Sequence, residues 1–261
     1  MDIIKNISWR SIKVWQRNWT VYVETWLVNF VMPFFEPLLY LLAFGLGLGK
    51  LVKTVPYNGV LMPYLSFITP GLIGTIVMNY SFYETTYASF VRMYHQKTFD
   101  AILATPLLIE DIIAGELLWG TTKSIIAGTS MMIVASFFHL LHYPMALWLI
   151  PLSALGGMVF STIGMVFTSF TKSIEQFNFP VFLFMTPMFL FSGVFFPISV
   201  LPVWAQTIAY VFPLTYLVII MRDIQIDIFN LSFLYSIIIL MVLTAIFFIL
   251  SIKMMKKRLI K

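Results

Sequence analysis

The sequence predicts an all-α polytopic membrane protein. It is expected to have six transmembrane helices, an N-terminal amphipathic helix at the interface, and broken re-entrant helices between the fifth and sixth spans. Three observations carry this. Apolar runs close to the ~20 residues a helix needs to cross a bilayer recur along the chain, beginning with WLVNFVMPFFEPLLYLLAFGLGLG at 26–49. Hydrophobic residues make up 60% of the chain and charged residues 10%, against ~25% charged in soluble domains, so there is too little charge to solvate a globule. Lysine and arginine gather beside the ends of the apolar runs, where topology and anionic headgroups place them, and this argues against a nucleic-acid role for the net charge of +5.

Taken in order, residues 3–22 have helical periodicity, with Ile4, Ile7, Ile12, Trp15, Trp19 and Tyr22 on one side and Arg10, Lys13 and Arg17 on the other. Such a helix lies in the interface, either as a platform for a partner or as an anchor for the first span. Charges at Asp2, Lys5, Arg10, Lys13 and Arg17 interrupt every candidate signal-peptide core, so the first span is expected to insert itself. The spans are placed at 26–49, 64–90, 108–138, 146–170, 178–196 and 231–252. With 261 residues nearly used up by spans and short connections, positions 1–261 read as a single transmembrane domain. Between the last two spans, 193–222 is apolar yet broken by Pro197, Pro202 and Pro213. Irregular backbone is not tolerated against lipid, so this segment is expected to be a re-entrant hairpin of short helices packed on protein.

Six spans leave both termini on one side. Twelve lysines and arginines fall there and only Lys50, Lys53 and Arg222 on the other, which puts both termini in the cytoplasm by the positive-inside bias. Cysteine is absent, so there are no disulfides and no thiolate metal site.

No catalytic, cofactor-binding or metal constellation emerges. His139 and His142 are spaced by three but lack a nearby carboxylate and read as turn residues, while His95 stands alone. GLGLGK at 45–50 has Phe44 and Leu51 where a phosphate loop needs glycine and serine or threonine. Its glycines instead suit close helix approach, Gly45 and Gly49 having small-xxx-small spacing. Within the spans, Glu36, Glu84 and Lys123 stand out as the candidate transport path, since a charge at mid-bilayer is costly unless paired or wet. Glu36, flanked by Pro33 and Pro37, reads either as a polar spot on that path or as a structural hydrogen-bonding group. Glu84 reads also as a boundary charge near Arg92, and Lys123 as a partner of Glu116 or a snorkelling residue. On these residues alone a proton-coupled secondary transporter, with Glu36 or Glu84 as carrier, is the alternative, although no internal repeat is visible. The loop VRMYHQKTFDAILATP at 91–106 is short and helix-competent, with Phe99, Ile102 and Leu103 on one flank and Lys97 and Asp100 on another, as a docking element would be.

KTFDAILATPL (97–107), EDIIAGELLWG (110–120) and TPMFLFSGVFFPISVLP (186–202) resemble type-2 ABC exporter permeases, in particular the nodulation-factor and daunorubicin-type subgroup, over nearly the whole chain. The resemblance implies two permease copies or two related permeases, most simply a homodimer, with two separately encoded ATPase subunits holding the ATP and magnesium. It also implies a coupling helix at 91–105 that inserts into the ATPase. Helical geometry assigns Phe99, Ile102 and Leu103 to it as apolar contacts and Arg92, Lys97 and Asp100 as polar ones. The chain itself is then not an enzyme but the permease of an exporter in a bacterial or archaeal inner membrane. A lining rich in phenylalanine, methionine and tyrosine suits an amphiphile: a lipid-linked oligosaccharide, a lipid or a hydrophobic drug.

Overall fold

A computed structural model describes residues 6–259. Among the described residues six helices are long and apolar enough to cross a bilayer, as the run lengths predict. The chain opens with α1 (Ser11–Glu24), which bends at Thr25 into α2 (Trp26–Leu46), the first span. A β-hairpin, β1 (Thr54–Tyr57) with β2 (Val60–Pro63), follows in antiparallel register, Tyr57 opposite Val60. Asn58 and Gly59 both take positive φ, the backbone a two-residue hairpin turn requires. Strands of four residues carry too little periodicity for the sequence to announce the hairpin.

The second span, α3 (Tyr64–Tyr83), continues through two π-helical stretches, Glu84–Ala88 and Val91–His95. It ends where Lys97 adopts the left-handed conformation. After the short α4 (Thr98–Leu103) come α5 (Ile109–Phe137), α6 (Leu149–Phe170) and the irregular fifth span α7 (Ile174–Phe191). The fifth span therefore begins and ends some four or five residues earlier than 178–196: it stops at Ser192 because Gly193 takes a φ of +74°. Two short helices, α8 (Val203–Ala209) and α9 (Pro213–Gln225), meet at 89°, which is the broken segment the prolines predict. The last span, α10 (Leu231–Leu259), runs seven residues beyond the expected 252.

The inside of the bundle is made by α3, α5 and α6, whose apolar stretches are 61–78% buried, whereas those of α2, α7 and α10 are 11–22% buried and form its outer wall. Close packing on α6 depends on small residues. Gly157 leaves no room for a side chain against Ser124 and Thr121 of α5, and a Cβ on Gly120 would strike Ser161 of α6 and Thr85 of α3.

Hydrogen bonds place α1, α4, the 171–177 turn and the end of α10 together at one end of the bundle, called here the terminal end. Lys256 donates to Glu110, and Arg258 donates to the carbonyls of Thr168 and Thr171. The hairpin, the 138–148 turn and the broken α8–α9 segment meet at the opposite end, where Tyr57 and Asn58 donate to Asp223 and the His142 N–H donates to Gln225. Among the described residues no group of histidines, aspartates and glutamates is arranged to hold a metal.

Candidate functional site

The charges predicted one by one converge at the terminal end. Glu84 leaves α3 within the first π stretch and Arg92 within the second, eight residues on. The π turns, such as the one closed by the Gln96 N–H on the Val91 carbonyl at 2.9 Å, shift the helical phase so that both side chains point at α5. Arg92 bridges two buried carboxylates, with Nη1 2.7 Å from Glu84 and Nη2 2.6 Å from Glu116. Lys123, about two turns further along α5, reaches Glu84 at 2.9 Å, so its partner is Glu84 and not Glu116. Trp119 donates its indole N–H to Glu84 (2.9 Å), and Asn18 of α1 donates to Glu116 (2.9 Å). Two cations thus meet two anions, every carboxylate oxygen is occupied, and the cluster is neutral. That is the condition under which buried charge persists in an apolar bundle.

Glu84 is therefore a buried bridging group rather than a boundary charge. Asn18 and Trp119 were missed by sequence reading. Asn18 falls on the apolar side of 3–22, between Ile7 and Tyr22, where a lone amide carries no signal, and a tryptophan inside a span is ordinary packing.

The apolar side of α1 stays open, as an interfacial helix requires, and the helix packs by its edge. Ser11, Val14 and Asn18 pack on α5, with Val14 filling the space over Gly115, while Ile12 and Trp19 stay exposed. Polar Asn18 is on the inside because Glu116 is there to receive it. Trp15, Trp19 and Tyr22 stack along the edge of this contact, and Lys123 sits over the Tyr22 ring. Ile4 lies outside the described residues.

From this anchored base projects α4. Its helix is 98–103, not 91–105, because residues 91–95 remain part of the second span. Arg92 is accordingly in the ion cluster and not on the docking face. Thr98 and Phe99 are buried, and Phe99, at 1% exposure, packs into the core formed with Phe90, Met93, Ile113, Leu117 and Phe177. Phe99 is thus a core residue in this conformation and not a surface contact. Ile102 and Leu103 are half-buried against the same core, while Lys97, Asp100, Ala101, Ala104 and Thr105 form the free face. Asp111 holds the return of the loop, accepting from the N–H and hydroxyl of Ser8 and from the Leu108 N–H at the start of α5. Arg10 donates to the Pro106 carbonyl at 2.8 Å. Glu36 stands apart from the cluster, half-buried beside Tyr80 of α3.

Arg222, which the charge count assigns to the opposite side, is 2% exposed. It donates to the carbonyls of Phe67 (3.1 Å) and Gly193 (2.9 Å) and stacks 3.7 Å from the Phe67 ring. The broken segment shows no register in the sequence, so nothing there revealed that this residue points inward.

A six-span helical bundle with a small helix mounted on a neutral ion cluster at one end, and a broken re-entrant segment at the other, defines a multi-pass membrane permease. The ABC-2 type transporter family matches residues 11–226, and the chain belongs to that family. It is the transmembrane subunit of an ABC transporter. It is 34% identical to Nodulation protein J of Rhizobium meliloti (strain 1021) over 218 residues, covering 84% of this chain and 82% of that protein. It is 32% identical to Nodulation protein J of Sinorhizobium fredii (strain NBRC 101917 / NGR234) over 219 residues, with the same coverage. Inner membrane transport permease YadH of Escherichia coli (strain K12) is 22% identical over 214 residues, 82% of each chain.

Proposed function

We infer that this permease exports an amphiphile, a lipid-linked oligosaccharide before a lipid or a hydrophobic drug, driven by two copies of a separate ATPase that hold ATP and magnesium. Two permease copies would form the pathway in a bacterial or archaeal inner membrane, with the terminal end in the cytoplasm. The observation that carries the reading is α4. Its free face is small and polar, its buried face is locked by Phe99, and its root is the Arg92 cluster joined to α1 and α5. A push on α4 is then transmitted to two spans and the interfacial helix at once, since packed elements do not deform continuously. The likeness to relatives named transport permease and nodulation protein supports transport. The apolar outer wall supports a substrate that shares the lipid phase.

Coupling through the free face is tested by Asp100→Arg and Ala101→Trp in the complex with its ATPase. Substrate-stimulated ATP hydrolysis should fall about tenfold or more, a loss of roughly 1.4 kcal/mol of coupling, while the melting temperature of the permease is unchanged. Unaltered stimulation and assembly in both variants would remove the docking role. The secondary-transporter reading would require uptake or efflux without any ATPase, collapse with a proton gradient and failure of Glu36→Gln. Full pairing of Glu84 with Arg92 and Lys123 speaks against that residue as a proton carrier.

A further inference from the structure

A cavity lies at the opposite end, away from the ion cluster. It has a volume of about 540 Å³ and is walled by the hairpin, the turn after Pro197, α8–α9 and the first turns of α10. This volume falls in the ~300–1,000 Å³ range of small-molecule sites. Its lining is unlike the rest of the bundle. Tyr57, Tyr210, Tyr216 and Tyr235 converge on it from four separate segments, and the buried guanidinium of Arg222 forms part of its floor. Nε and Nη2 of Arg222 are engaged by backbone carbonyls, and the Tyr57 ring lies 5.1 Å from the guanidinium. The hydroxyls of Tyr57 and Tyr216 are occupied, the first by Asp223 and the second by the Tyr210 carbonyl, which fixes both rings in place. Tyr235 is 62% exposed and Tyr210 49%, so their ring faces and hydroxyls stand open to an occupant.

We propose that this cavity is a binding subsite for a hydroxyl-rich glycosyl head group, reached at the end of the permease opposite the coupling helix. Rigid tyrosines offer amphipathic contact at low entropic cost, and a hydroxyl both donates and accepts, which matches the alternating apolar faces and hydroxyl edges of a sugar. Pro197, Ile198 and Ile219 supply the apolar remainder of the wall. A phosphate would instead need free donors or an unshared cation. Arg222 is the only cation in the lining, its donors are largely spent, and Asp223 is its neighbour in sequence. The subsite rests on the export reading above only for the idea that a glycosyl head is what passes.

The test uses the full-length permease with its ATPase in lipid nanodiscs, without nucleotide, and an alkyl disaccharide carrying a photoreactive group on the sugar. Cross-links should map to residues 56–58, 197–199 and 210–236. Excess free disaccharide should displace the probe, and an alkyl phosphocholine should not. Tyr235→Ala and Tyr210→Ala should each weaken labelling about three- to tenfold, the value of one aromatic contact, and Tyr235→Trp should restore it. Both aromatics are exposed, and a melting curve verifies each variant's fold. Labelling indifferent to these substitutions, labelling displaced only by phosphocholine, or cross-links confined to other segments would each overturn the proposal. Loss of ATP-driven transport with labelling intact would instead count against the export reading and leave the subsite standing.

Discussion

Arg92 shows what one residue does here. Replacing it by alanine strands Glu116 with Asn18 alone and leaves Glu84 to Lys123, so Arg92→Ala should cost ~3–5 kcal/mol, the penalty of an uncompensated buried charge. A lowered melting temperature in detergent reads it. Arg92→Met combined with Glu116→Met removes the charges as a pair and should recover most of the loss. At the opposite end, burial pushes the Tyr57 phenol above its ordinary range, with the nearby Arg222 guanidinium acting against that shift. The phenol thus stays protonated and donates to Asp223 at 2.8 Å. Its contribution to stability is complete below pH ~10, the usual tyrosine value, and is lost as pH rises above it toward the folded-state value. Melting temperature should therefore fall more steeply above pH ~10 in the wild type than in Tyr57→Phe. That Glu84 and Lys123 matter was legible as charge where charge is expensive, whereas Arg92 was read as a docking contact. Their pairing was not, because it depends on two π stretches that no residue pattern announces.

Among elements, the long helices were legible from run length, and the re-entrant segment from its prolines. The short helix α4 was legible as a location but not as a surface. Its phase follows from the positive φ at Lys97, which turns Phe99 inward and Asp100 outward. A charge at Phe99 would accordingly unfold the core beneath α4, and only substitutions on the free face report on docking. The α5–α6 contact makes a separate prediction. Gly157→Ala places a methyl group against the Ser124 side chain and should destabilise by ~1–3 kcal/mol, and Ser124→Ala in the same chain should relieve part of it. Thermal unfolding of the single and double variants measures both.

For the whole molecule, burial divides the spans into an inner three and an outer three, and α2, α7 and α10 turn wide apolar faces outward to lipid or to a second copy. The sidedness proposed from the charge count is open to direct measurement because the chain has no cysteine. Leu61→Cys on the hairpin, where the side chain is 70% exposed, should react with an impermeant maleimide in intact cells, and Ala101→Cys only after permeabilisation. The reverse pattern would invert the topology and with it the docking reading.

The ion cluster also bears on how the chain is made. Glu84 and Arg92 ride on one hydrophobic segment and pair with each other, whereas Glu116 and Lys123 on the next find their partners only on the first, so the later segment alone would carry stranded charge into lipid. The two segments should therefore leave the translocation machinery as a preassembled hairpin, charge against charge. A third segment made with Glu84 and Arg92 both replaced by leucine is expected to stay extractable, slipping back toward the aqueous side because its counter-ions are gone.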